Sequence, residues 1–246
     1  MLASAFQIVR DNWLLLLVGQ YPRGPLGGFA ATLVLSVLGI GLALPVSIGI
    51  ALARISHWSV LRAPATALVY VVRGIPLLMI IFWVYFLFPL VLGMEVSGFA
   101  TMVCTLVLYN GVFLSEVVRA GIQSLPRGQM DAARALGHGY FGAMRHVILP
   151  QALYNMLPSM LSQFISTIKD TTLAYIINVP ELTFAANQIS NRLLTEPFEV
   201  FLILALIYYA VCVSLTQFAA LLERNVARRR TGQPALVEPV LMEAST

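Results

Sequence analysis

The chain has 246 residues, is 59% hydrophobic and only 11% charged, and carries a formal net charge of +4. Soluble domains have about a quarter charged residues, so the composition excludes an ordinary water-soluble domain and indicates a single integral membrane domain. Every basic residue except Lys169 is an arginine; these are dispersed over three loops rather than gathered on one face, which argues against nucleic-acid binding.

Residues 1–26 have no basic start and no clear small-residue cleavage site, so they are not read as a cleaved signal peptide. They are expected to form an amphipathic segment on the external membrane face, with Trp13 and Tyr21 at headgroup depth. A transmembrane helix needs about 20 mostly apolar residues. Runs 27–53, 74–92, 97–115 and 200–222 meet that need, and a more polar fifth covers 147–177. The expected fold is therefore all-α, with about five transmembrane helices in one membrane domain over 27–225.

The first span carries Gly39, Gly41 and Gly49, which suits close helix packing in lipid, and Pro45 predicts a kink. Residues 55–72 are read as interfacial or cytoplasmic. They lead into Arg73-Gly74-Ile75-Pro76, where a proline is tolerated because a helix start has no amide partner to lose. The aromatic stretch Phe82 to Phe88 of the second span is read as lipid contact. Glu116 and Arg119, at the end of the third span, are spaced to pair on one helix face.

Arginines at 54, 62 and 73, at 119, 127, 134 and 145, and at 224 and 228–230 fall in alternate connections. The positive-inside rule assigns all three sets to the cytoplasm. The connections at 93–97 and 178–198 are then external, the N-terminus lies outside and the C-terminus inside. The polar tail, 226–246, is expected to be disordered.

The loop from 119 to 149 is too charged for lipid. Pro126 and Pro150 bracket it, and Gln129 to Leu136 are helix formers. Gly137 and Gly139 break that helix before a second short one over 141–148. Two short helices held at the water side are suited to a soluble partner.

The fourth span is two-faced. At about 100° per residue, Gln151, Asn155, Ser159, Ser162, Ser166 and Lys169 share one arc, and Leu153, Met156, Leu157, Met160, Leu161, Phe164 and Ile168 oppose it. Lipid cannot satisfy the polar arc, so it faces protein or a water-filled path. Lys169 and Asp170 point about 100° apart and each needs a partner elsewhere. An interhelical hydrogen-bond seam and a lining role both remain open for this face. Pro158 predicts a bend.

Catalytic chemistry has no footing in the sequence. The sole lysine is followed by Asp170, so there is no phosphate-binding loop. The three histidines and two cysteines have no zinc spacing, and Cys104 and Cys212 are read as packing residues. The chain is thus read as a pathway or scaffold that another component must power or regulate.

Several stretches resemble the EAA-loop region of ATP-binding-cassette importer permeases of the polar amino acid uptake group. They are Glu116-Val117-Val118-Arg119-Ala120-Gly121, Gly128-Gln129, Asp131-Ala132-Ala133, Ala135-Leu136-Gly137 and Ile148-Leu149-Pro150-Gln151-Ala152. Arg73-Gly74-Ile75-Pro76, Lys169-Asp170-Thr171-Thr172 and Val179-Pro180-Glu181-Leu182-Thr183 extend the likeness over roughly 27–225. Asp131 stands where the family usually has Glu, and the stretch before Gly27 is longer than in its simplest members.

The resemblance implies a type I importer permease without an ATPase site or cofactor of its own, ATP and magnesium being held by partner subunits. The implied partners are a cytoplasmic ATPase dimer, a second permease subunit, identical or different, and an external solute-binding protein. The implied coupling loop comprises Gly128, Asp131, Ala132, Ala133, Ala135, Leu136 and Gly137. With Glu116 and Asp170, the polar arc of the fourth span makes the candidate path for a polar, preferentially acidic, amino acid. A gradient-driven transporter or channel, and a scaffold that transports nothing, are the alternatives.

Overall fold

The computed structural model describes residues 2–93 and 96–231. The chain opens with α1 (Leu2–Val18), α2 (Gly28–Ile55) and α3 (Ser59–Gly74). Next come α4 (Leu77–Phe82) and α5 (Phe88–Leu92), joined through a π-helical turn, Trp83–Leu87. The central helix α6 (Gly98–Gln123) is followed by α7 (Arg127–Ala135) and α8 (Tyr140–Ala143). A second π-helical turn, Met144–Ile148, runs into α9 (Leu149–Asp170). One 3₁₀ segment, Thr171–Ile177, precedes α10 (Leu182–Leu193) and α11 (Pro197–Thr231).

Three helices, α2, α6 and α11, are long and apolar enough to cross a membrane. A fourth crossing is counted if α3 and the Leu77–Val91 segment, bent by 107° to one another, form one broken span. The bend follows from local chemistry: the residue before a proline avoids helical geometry, and Ile75 is extended (φ −111°, ψ 133°) ahead of Pro76. Length and apolarity therefore support three or four crossings among the described residues. The five-span expectation also needs α9, which has 22 residues but too many polar ones to qualify on apolarity.

The core is a seam between α2 and α6. On α2, Gly28, Thr32, Ser36, Gly39, Ala43, Ser47 and Ala51 are buried at a spacing of three to four residues, one stripe of small side chains. Small residues let helix backbones approach, and in lipid that packing supplies the association energy. A Cβ on Gly39 would lie 3.0 Å from Leu106, and one on Gly111 3.0 Å from Val46. Leu35, Met102 and Leu106 fill the seam with Ala174 and Ile177 of the 3₁₀ segment. Pro45 and Pro158 lie inside continuous helices.

A second cluster places α1, which buries Ile8 and Leu16 against Leu182, Ile189, Val200 and Leu204 of α10 and α11. Its other side exposes Phe6, Trp13, Leu14 and Leu17. The N-terminal segment is thus a packed helix with one bare apolar side, rather than one lying on the bilayer alone.

Backbone bonds knot these elements at one end. The Gly28 amide donates to the Pro180 carbonyl at 2.9 Å, and the Leu182 amide donates to Thr32 Oγ1 at 3.2 Å. Glu181 caps α10, its carboxylate accepting from the amides of Thr183 and Phe184, both at 2.8 Å, and from the Tyr208 hydroxyl at 3.3 Å. Gly28 has φ +57°, and a Cβ there would meet the Leu16 carbonyl oxygen at 2.5 Å, so the crossing admits glycine alone. Helix α11 continues to Thr231, beyond the expected boundary at 225, and the rest of the tail, 232–246, lies outside the described residues.

Candidate functional site

The two short helices expected between the third and fourth spans are α7 and α8. Pro126 opens α7 with its fixed φ of −58°, and only residues 124–126 separate it from α6. Its end is a Schellman turn: the His138 amide donates to the Ala133 carbonyl at 3.2 Å and the Gly137 amide to that of Arg134 at 3.0 Å. Gly137 takes φ +90° there, a conformation glycine adopts without strain. Asp131, Ala132, Ala135 and Leu136 are exposed on this helix, as is Gly128. Leu136 is 84% exposed and Phe141 86%.

Ala133 differs from its neighbours. It is 3% exposed, turned inward as α7 packs on α8 and the Met144–Ile148 turn. It anchors the helix and does not belong to the surface that α7 presents.

The polar arc of α9 divides into parts. Gln151 sits at the base of the loop, donating to the Val147 carbonyl at 2.9 Å and reaching Gln129 of α7 at 3.5 Å. Asn155 and Ser159 line an open cavity of about 580 Å³ with Arg73, Glu116 and Arg119. Ser162 is exposed, its hydroxyl turned back to the Pro158 carbonyl at 3.2 Å. Ser166 is half-buried, Lys169 exposed and Asp170 half-buried, and neither of the last two makes an ion pair among the described residues.

The interhelical seam uses residues that the wheel reading passed over. Asn110 of α6, wholly buried, accepts at Oδ1 from Gln163 Nε2 and from Thr167 Oγ1, both at 2.9 Å. Gln163 and Thr167 lie off the polar arc, so this seam does not draw on the arc residues. The sequence signal for this bond set is Asn110, an amide side chain inside an apolar run.

Glu116 is more heavily used than an (i, i+3) pair would suggest. Arg119 donates to its Oε2 through Nε at 3.2 Å and Nη2 at 2.8 Å, and to Gln123 Oε1 through Nη1 at 2.7 Å. Arg54, at the end of α2, forms a second ion pair with Glu116. One carboxylate thus ties α2 to α6. Close by, Arg73 at the α3–α4 elbow stacks its guanidinium 5.5 Å from the Phe113 ring centroid. Gly121 lets α9 approach α6 here, since a Cβ would collide with the Met156 side chain.

Comparison with known proteins matches residues 43–228 to the family described as "Binding-protein-dependent transport system inner membrane component". The chain is 36% identical over 212 residues to the probable glutamine ABC transporter permease protein GlnP of Bacillus subtilis, covering 84% of this chain and 97% of that protein. It is 32% identical over 209 residues to the glutamate/aspartate import permease protein GltK of Escherichia coli, with 82% and 93% covered. Among solved structures, a crystal structure of an amino acid ABC transporter with histidines superposes with a TM-score of 0.73 at 32% identity. That match covers 80% of this chain and 92% of the other.

Proposed function

Because the chain belongs to the binding-protein-dependent transport system inner membrane component family, amino acid ABC permeases that cross the inner membrane several times, we propose that it is the translocating subunit of an ATP-driven importer for polar amino acids, with a preference for acidic ones. The α7–α8 hairpin lies in the cytoplasm, the C-terminus on the same side and the N-terminus outside. An ATPase dimer grips α7 from the cytosol, a second permease subunit faces the polar arc of α9, and an external solute-binding protein delivers the substrate. ATP-driven closure moves the hairpin, and the helices attached to it alternate the path between its two openings.

The observation that carries this reading is α7 itself: a short helix anchored by Ala133 at its back, presenting Asp131, Ala132, Ala135 and Leu136 to a partner. Lys169 suits a carboxylate and Asp170 an ammonium group, as any amino acid zwitterion requires; the acidic preference rests on likeness to relatives such as the one named for glutamate and aspartate. Deleting residues 132–137 is expected to abolish uptake by the assembled complex in proteoliposomes while leaving membrane insertion intact. Uptake that survives the deletion, or transport by this chain alone in vesicles without ATPase subunits, would instead mark a gradient-driven carrier.

A further inference from the structure

Three guanidinium groups and one carboxylate meet where α2, α3 and α6 converge. Arg54 and Arg119 share Glu116. Among the described residues Arg73 has no carboxylate within ion-pair distance; its recorded contact is the Phe113 ring. The cluster therefore carries two positive charges beyond what Glu116 neutralises.

The same residues wall a cavity. Arg73, Glu116 and Arg119 form one side of the 580 Å³ space, and Asn155 and Ser159 of α9 the other. That volume falls in the range of small-molecule sites, roughly 300–1,000 Å³. Arg119 is already committed to Glu116 and Gln123, so Arg73, exposed and lying 5.5 Å from the Phe113 ring centroid, is the guanidinium with donors to spare. Arginine binds carboxylate through two parallel hydrogen bonds, which a preset fork favours. Ser159 and Lys169 are ten residues apart on α9, a rise of about 15 Å, so one amino acid cannot touch both ends.

We propose that this vestibule is a second carboxylate-binding site, at the cytoplasmic end of the path, where Arg73 receives the amino acid after it leaves Lys169 and before release. The inference rests on the reading of the chain as an amino acid permease. Arg73 binds the carboxylate, Arg119 adds positive potential, and Ser159 supplies a polar contact from α9. The site is weaker than the one near Lys169, because it is wide open and a carrier must let its cargo go.

The shared chemistry, an oxyanion on a guanidinium fork, also suits a lipid phosphate, and the test separates the two. The assembled nucleotide-free complex is placed in nanodiscs of phosphatidylcholine alone and titrated with L-glutamate and L-glutamine, with L-glutamate dimethyl ester and L-glutamine α-methyl ester, which carry no free carboxylate, as controls. Lys169→Leu should leave a weak, salt-sensitive class of sites that the esters do not fill. Arg73→Gln should weaken that class by about tenfold or more, the worth of one charged hydrogen-bonded contact, and Arg73→Lys should weaken it less. A weak class unchanged by Arg73→Gln overturns the proposal. So does amino acid binding that never reaches the vestibule while phosphatidylglycerol, added to the nanodiscs, alters the complex only when Arg73 is present. Failure of the importer reading has a different signature, uptake that persists without residues 132–137.

Discussion

Glu181 is a buried acid in the connection ahead of α10, and its environment sets a pH dependence. Burial pushes its carboxyl from an ordinary value of 4.5 up to about 7, while the Thr183 and Phe184 amides pull the other way. Between these two values the folded chain holds a proton that the unfolded chain has lost. The contribution is therefore full below pH 4.5 and is lost as pH rises through 7. Glu181→Gln should flatten that part of the profile: the purified complex should gain thermal stability from pH 8 to pH 5.5 in the wild type and gain less in the variant. An identical rise in both would remove Glu181 as the cause. Single-residue chemistry of this kind was only partly legible beforehand. Glu116 and Arg119 stand three apart and announce their pair, whereas Arg54 joins them only because α2 packs along α6. Gln163 and Thr167 were hidden for another reason: a helical wheel sorts side chains by polarity and has no knowledge of Asn110 on the facing helix.

At the level of helices, the glycine seam makes the sharpest prediction. Gly39→Leu would push α2 from α6 at Leu106, and overpacking of this sort costs about 1–3 kcal/mol. Gly41→Leu is the control, since no atom lies within 4 Å of the Cβ it would add. Thermal unfolding in detergent should show a lower Tm for the first and little change for the second; equal effects would mean the seam is not the close contact described. The elements themselves were readable because their punctuation is local. Pro76 stops α3, Gly137 ends α7, and Pro197 starts α11. Pro76 marked where the elbow falls but not its 107° angle, and punctuation gave no sign of the two π-helical turns or of the run of α11 to Thr231. The inward turn of Ala133 belongs with these, because one alanine in a row of three differs from the others only by what lies beneath it.

Across the whole molecule, the polar arc of α9 is the element on which the transport reading turns. It runs from Asn155 and Ser159 at the arginine vestibule to Lys169 and Asp170 at the far end, while the buried side of α9 is bonded to Asn110. Lys169→Leu is expected to lower amino acid uptake at least about tenfold, the scale of one lost charge-assisted contact, with assembly and ATP hydrolysis retained. Normal uptake in that variant would return Lys169 to helix packing. Fold class and the direction of function were accessible from hydropathy and the loop; the site's geometry was not, because its walls come from α3, α6 and α9 together.

The link between α6 and α7 is three residues long, and one of them is Pro126. A tether so short and stiff has almost no slack, so a displacement imposed on α7 reaches α6 nearly undiminished, and Glu116 passes it on to Arg54 and α2. Lengthening the 124–126 link with a few glycines should therefore leave ATP consumption running while cargo stands still, a slipping clutch that vesicle uptake and phosphate release, measured side by side, would reveal.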